Sequence, residues 1–171
     1  MGMSGKILEF YRGGHDDSGR TLDEILAWPD TQLEAVHDFI QWLFPLPERS
    51  GANPSAPILD AATITAFRQS QELQDRLRQS FLRMLRFYGL EFHAGKIQQA
   101  ARFAARSSNW LTPGNHNHLR LTRMLRSLNL LGLGSEAAAL YLSLLEIYQS
   151  HPGGITPRSL RFWKDAVEVA D

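Results

Sequence analysis

The stretch Glu34-Ala35-Val36-His37-Asp38-Phe39-Ile40-Gln41-Trp42-Leu43-Phe44-Pro45 decides how this chain is read. At 100° per residue, Leu33, Val36, Phe39, Ile40, Trp42, Leu43 and Phe44 cover more than half of a helix circumference. Glu34, His37, Asp38 and Gln41 fill the narrow remainder. A helix this apolar must be buried on most sides, so other helices are expected to pack around it. Asp30 is placed to cap it and Pro45 to end it. The expectation is a central helix over about 30–44 whose polar stripe is either a solvent slot or the floor of a site.

Outward from this stretch the pattern stays helical. Thr21-Leu22-Asp23-Glu24 reads as a capping box for a short helix that stops near Trp28, before Pro29. Residues 45–57 hold four prolines with Gly51 and Asn53 and read as an ordered loop. Asp60 caps a helix to about Gln69, and Ser70 opens a longer one ending at Gly89. Further helices are expected over 95–107, with Ile97, Ala100, Ala101, Phe103 and Ala104 inward, and over about 115–131 and 135–150. The last starts at Thr156-Pro157 and has Leu160, Phe162, Trp163 and Val167 to bury. No stretch alternates as a strand should. The fold class expected is all-α: a single domain over 1–171, an irregular bundle of about eight helices around the central one.

Composition bounds the function. The chain of 171 residues is 43% hydrophobic, enough for a core. It has no cysteine, which excludes disulfides and thiolate metal sites. No run approaches the roughly 18 apolar residues of a membrane span, and no signal-peptide core follows Met1-Gly2-Met3-Ser4. A soluble cytoplasmic protein is therefore expected. Net charge is zero but segregated: residues 1–60 carry 4 basic and 10 acidic side chains, residues 61–126 carry 11 and 3. The basic segment 76–126, with Arg120, Arg123 and Arg126 at helical spacing, either meets a polyanion or faces the acidic third. Leu119 and Leu130 share that face, which argues for a covered surface and internal pairing.

Chemistry has little to stand on. His15-Asp16-Asp17 sits in a Gly-rich turn and reads as turn chemistry rather than a metal site. His116 and His118 point about 200° apart on a helix and cannot share an ion. There is no zinc-protease helix motif, phosphate-binding Gly loop or nucleophile elbow. No catalytic residue, metal or cofactor is expected, and a hydrolase built on Glu34, His37 and Asp38 ranks last. Buried polar groups such as His37 and Gln41 are expected to satisfy backbone, and the acids to pair with Arg. Asn109-Trp110 falls between helices, where the indole is expected to plug the core.

Three blocks carry a family resemblance. His37-Asp38-Phe39-Ile40-Gln41-Trp42-Leu43-Phe44-Pro45 resembles the signature of the conserved domain of opioid growth factor receptors. Asn109-Trp110 followed by His116-Asn117-His118-Leu119-Arg120-Leu121-Thr122-Arg123 resembles its second block, and Phe87-Tyr88-Gly89 the helix end between them. Val36 stands where the family has Asn, residues 111–115 lengthen the link to His116, and no imperfect repeats follow. The resemblance implies an opioid growth factor receptor-like domain, and the first expectation for it is a non-enzymatic module binding a peptide or small molecule. In the animal members it implies an enkephalin ligand, nuclear and perinuclear membrane association, and restraint of proliferation. The candidate ligand contacts are His37, Gln41, Trp42, Asn109, Trp110, His116, Asn117, Arg120 and Arg123, expected to line one shared pocket. Nucleic-acid binding through segment 76–126 is the alternative, separable by its steep salt dependence. Oligomeric state is unreadable.

The apolar arc makes Trp42 a core residue. Trp42→Ala should cost ~3–5 kcal/mol in urea unfolding; a loss below ~1 kcal/mol would remove the argument from this stretch.

Overall fold

The computed structural model describes residues 3–168. Among these there are ten helices and one two-stranded antiparallel sheet, so the protein is mostly helical, as expected. The chain clusters into two compact units, residues 1–80 and residues 81–171.

In the first unit, α1 (Met3–Tyr11), α2 (Leu22–Leu26), α3 (Asp30–Ala35), α4 (Ile40–Leu43) and α5 (Ala61–Gln69) lead into α6 (Gln71–Tyr88), which carries the chain past residue 80. Thr21 and Asp60 cap α2 and α5 as the sequence suggests, accepting from the amides of Glu24 and Thr63. α1 packs on α5, with the Tyr11 and Phe67 rings edge to face at 5.1 Å. The Tyr11 hydroxyl donates to the Leu43 carbonyl and meets Ser80 Oγ at 3.0 Å. The proline-rich loop is ordered: the Leu59 amide donates to the Leu46 carbonyl at 2.9 Å, and Ala56, Pro57 and Leu59 are buried.

The continuous helix expected over 30–44 is not formed. It is divided into α3 and α4, with Val36 extended at φ −92°, ψ 130° between them. A single rigid helix would have to find partners around more than half its circumference. Broken into two turns, the same chain buries Leu33, Phe39, Leu43 and Phe44 completely and leaves Trp42 3% exposed. Trp42 packs against Phe10, ring centroids 5.4 Å apart, and Phe39 against Trp28 at 5.7 Å. The freed backbone is held from outside: Arg20 bonds both the carboxylate and the carbonyl of Asp38, and the Gln41 side-chain amide donates to the His37 carbonyl.

The second unit corrects the expectation of no strands. Where a helix over 95–107 is expected, β1 (Leu90–His93) and β2 (Lys96–Gln99) form a hairpin, and α7 begins only at Phe103 (Phe103–Trp110). The two turn residues, Ala94 and Gly95, have φ of 51° and 79°, the double positive φ of the tightest hairpin turn. Of the residues expected inward, Ile97 and Phe103 are buried while Ala101 and Ala104 are exposed. Gly89 sets the corner between α6 and β1: its φ is 81°, and a Cβ there would stand 2.7 Å from the Phe103 Cα. Then α8 (His116–Leu130), α9 (Gly134–Ser150) and α10 (Pro157–Glu168) pack mutually, with β2 against α9. Trp163 of α10 is fully buried, but Phe162, expected to be buried, is 42% exposed under the Arg158 guanidinium. No helix among the described residues is long and apolar enough to cross a membrane.

Ala94 holds a left-handed conformation that costs an L side chain about 1 kcal/mol or more. Ala94→Asn, a residue suited to that turn, should raise stability by ~0.5–1 kcal/mol in urea unfolding. Unchanged or lower stability would refute the strained-turn reading.

Candidate functional site

Three ring N–H groups tie the second motif block together, and two of them close a helix end. The indole of Trp110 donates to the carbonyl of Tyr88, the last residue of α6, at 3.1 Å. His118 Nε2 donates to the carbonyl of Trp110, the last residue of α7, at 2.8 Å. The Trp163 indole donates to the His118 carbonyl at 3.0 Å. The Tyr88 and Trp110 carbonyls are terminal and lack intrahelical partners, while that of His118, in the first turn of α8, also accepts from the Thr122 hydroxyl. Together the three bonds tie α6, α7, α8 and α10. His118 stands edge-on to Trp163 at 5.5 Å and to Trp110 at 6.4 Å. With Nε2 donating, its Nδ1 is a buried lone pair with no hydrogen-bond partner. Burial holds its pKa below the ordinary histidine value, against the bond to Trp110 and with a lesser push from His116.

Around this knot the candidates separate. Trp110 plugs the core as expected, with no exposed surface. Asn117 is fully buried, its Oδ1 accepting from the Tyr88 hydroxyl and from Arg120. Asn115 caps α8 and ties back to the Asn109 carbonyl. His116 points to solvent. Arg120 is 6% exposed, and burial lowers the Arg123 pKa to about 10. Leu130 is covered but Leu119 is 71% exposed. In the first block His37 is exposed, while Gln41 is 3% exposed with its Oε1 unbonded. Asp38 pairs with Arg20 at 2.8 Å, as expected of the stripe's acids, and Arg20 also bonds the buried Asp16. Arg76 of the basic segment pairs with Asp23 of the acidic third.

The residue that spacing left aside, His118, is buried at the centre of this series of bonds. It lies three and seven residues before Leu121 and Leu125, on the apolar stripe of α8, and that position was its signal.

An open cleft of about 610 Å³ adjoins this block. It lies at the ends of α7 and α9, lined by Ser107, Ser108, Leu111, Ser150, His151 and Gly154 among others. Ser107 and Ser108 donate to the carbonyls of Ala104 and Ala105, which leaves their lone pairs to accept. Ser150 Oγ lies 3.0 Å from His151 Nδ1, and His151 packs edge-on to Phe103 at 5.8 Å. Two helix C-termini with hydroxyl lone pairs make an acceptor-rich wall. Sequence reading missed it because its residues come from two distant segments.

Fold and site together define a mostly helical module with a polar cleft beside an aromatic knot. Residues 8–169 match the opioid growth factor receptor (OGFr) conserved region. Among curated proteins the chain is 38% identical over 147 residues to the opioid growth factor receptor of Mus musculus, covering 81% of this chain and 23% of that protein. For the receptor of Homo sapiens the identity is 39% over 147 residues, 81% of this chain and 21% of that protein. Opioid growth factor receptor-like protein 1 of Mus musculus is 36% identical over 139 residues, 75% of this chain and 29% of that protein. The chain belongs to the opioid growth factor receptor family. It spans under a third of the length of these relatives. No solved structure matches.

The neutral, buried state of His118 fixes a pH dependence. Its folded pKa lies below the unfolded value of 6.5, so the unfolded chain takes the proton first. This contribution is intact above about pH 6.5 and is lost as pH falls from there through the folded pKa. Urea unfolding from about pH 8 to about pH 5 should show that loss, reduced in His118→Phe; an identical profile in the variant would refute it.

Proposed function

We propose that this domain is a non-enzymatic binding module whose ligand, a peptide or small molecule, occupies the cleft at the ends of α7 and α9. The observation that carries the reading is position: Ser107, Ser108 and Leu111 flank Asn109-Trp110 of the second motif block. The volume falls inside the range of about 300–1,000 Å³ that ligand pockets occupy. A hydrolytic role is disfavoured because no Asp or Glu is among the described residues that line the cleft and could orient His151. The relatives are named opioid growth factor receptors, so an enkephalin peptide is the first ligand to try. Arg76, Arg106 and Arg120 are each bonded within their own unit, which supports structural roles for them rather than a bare polyanion surface.

The test is an amide chemical-shift titration with an enkephalin at low and high salt. Saturable shifts at residues 107–111 and 150–154, little changed by salt, are expected. Ser108→Trp, at an exposed position in the cleft, should weaken binding at least about tenfold without lowering the melting temperature. Shifts confined to other surfaces, or full binding by Ser108→Trp, would overturn the proposal.

A further inference from the structure

A second pocket, of about 280 Å³, lies between the hairpin and α9. Ala139, Leu142, Ser143 and Glu146 line it from one side, at the i, i+3, i+4, i+7 spacing of a single helix face. Lys96 and Ile97 of β2 line it from the other. The floor is apolar: Ile97 is 8% exposed, while Leu142, 59% exposed, leaves a large aliphatic side chain at its edge.

Three polar groups share this small space without using one another. Lys96 and Glu146 carry opposite charges on one pocket, yet neither makes an ion pair or side-chain hydrogen bond among the described residues. Ser143 also lines the pocket, and its hydroxyl is bonded to no described residue, so it is open to a ligand there. Opposite charges facing one apolar floor are complementary to a molecule carrying both signs and an apolar body.

We infer that this pocket binds a free α-amino acid with an aliphatic side chain, as its zwitterion. The ligand ammonium meets Glu146, its carboxylate meets Lys96 and the Ser143 hydroxyl, and its side chain lies on Ile97, Ala139 and Leu142. The volume is at the lower end of the small-molecule range, which suits one amino acid. Within a peptide the two charges are separated by the chain or lost to amide bonds. The site is separate from the α7–α9 cleft, and neither proposal depends on the other.

The probe is L-leucine, followed by amide chemical shifts of residues 95–97 and 139–146, beside L-leucinamide and N-acetyl-L-leucine. Leucine should saturate in the millimolar range, and each derivative should bind about two- to fivefold more weakly, the factor for one exposed ion pair. Lys96→Gln should abolish the preference over leucinamide alone, and Glu146→Gln the preference over N-acetyl-leucine alone. Both residues are exposed, and unchanged melting temperatures would confirm that the variants fold. No saturable shift at these residues, equal binding of all three compounds, or preferences that survive the substitutions would overturn the inference.

Discussion

The carbonyl of Trp110 accepts its hydrogen bond from a histidine ring, and the helices of the second unit are tied together around that bond. It closes α7 and fixes the first turn of α8 in one contact. On either side the same device recurs, Trp110 to Tyr88 and Trp163 to His118, so one unbroken series joins four helices. Every donor is a ring N–H, which lets one side chain fill volume and bond a buried carbonyl together, a terminal one in the Tyr88 and Trp110 cases. Protonating Nδ1 would leave the Nε2 bond in place but bury a charge and a second N–H with no acceptor for it. Packing and protonation are therefore a single constraint here.

The first unit solves a comparable problem with charge. Releasing residues 36–39 from a helix leaves backbone groups unbonded, and each costs on the order of 1–3 kcal/mol if buried without a partner. Arg20 answers part of this from another segment, bridging buried Asp16 and Asp38 while stacking on Trp28 at 5.3 Å. Burial alone would lower the Arg20 pKa, but the hydrogen bonds and charges of Asp16 and Asp38 outweigh it and raise the value. The turn at His15–Thr21 is thus a clamp on the central stretch.

Where local chemistry and tertiary demand agree, the sequence was readable. Helices α5, α6, α8 and α9 follow from apolar periodicity and flanking signals such as Asp60, Gly89 and Asn115. Two readings failed for physical reasons. Helix 30–44 has no internal Gly or Pro to announce a break, and the Arg20 bonds that hold the open segment at Asp38 come from a distant stretch that spacing does not reveal. The hairpin turn places Ala at its first positive φ, where Asn or Gly is usual, so Gly95 alone marks it, at the position where the sequence suggests the start of a helix. Of the proposed contacts, the burial of Trp42 and Trp110 was legible from their apolar bulk. The cleft was not, because the ends of α7 and α9 meet only in three dimensions.

This division bears on what family membership transfers. The motif residues Trp42, Trp110, Asn117, His118 and Arg120 are all buried, and each has an identified packing or hydrogen-bonding role. Substituting any of them disturbs the core before it touches a ligand. The residues that line open volume, Ser107, Ser108, His151 and Gly154 in the cleft and Lys96, Leu142 and Glu146 at the hairpin, lie outside the quoted motifs. They are free to vary at little cost to the fold, since surface substitutions usually shift stability by no more than about 0.5 kcal/mol. In this chain, then, the signature residues build the scaffold, and the residues that line open volume are a separate set.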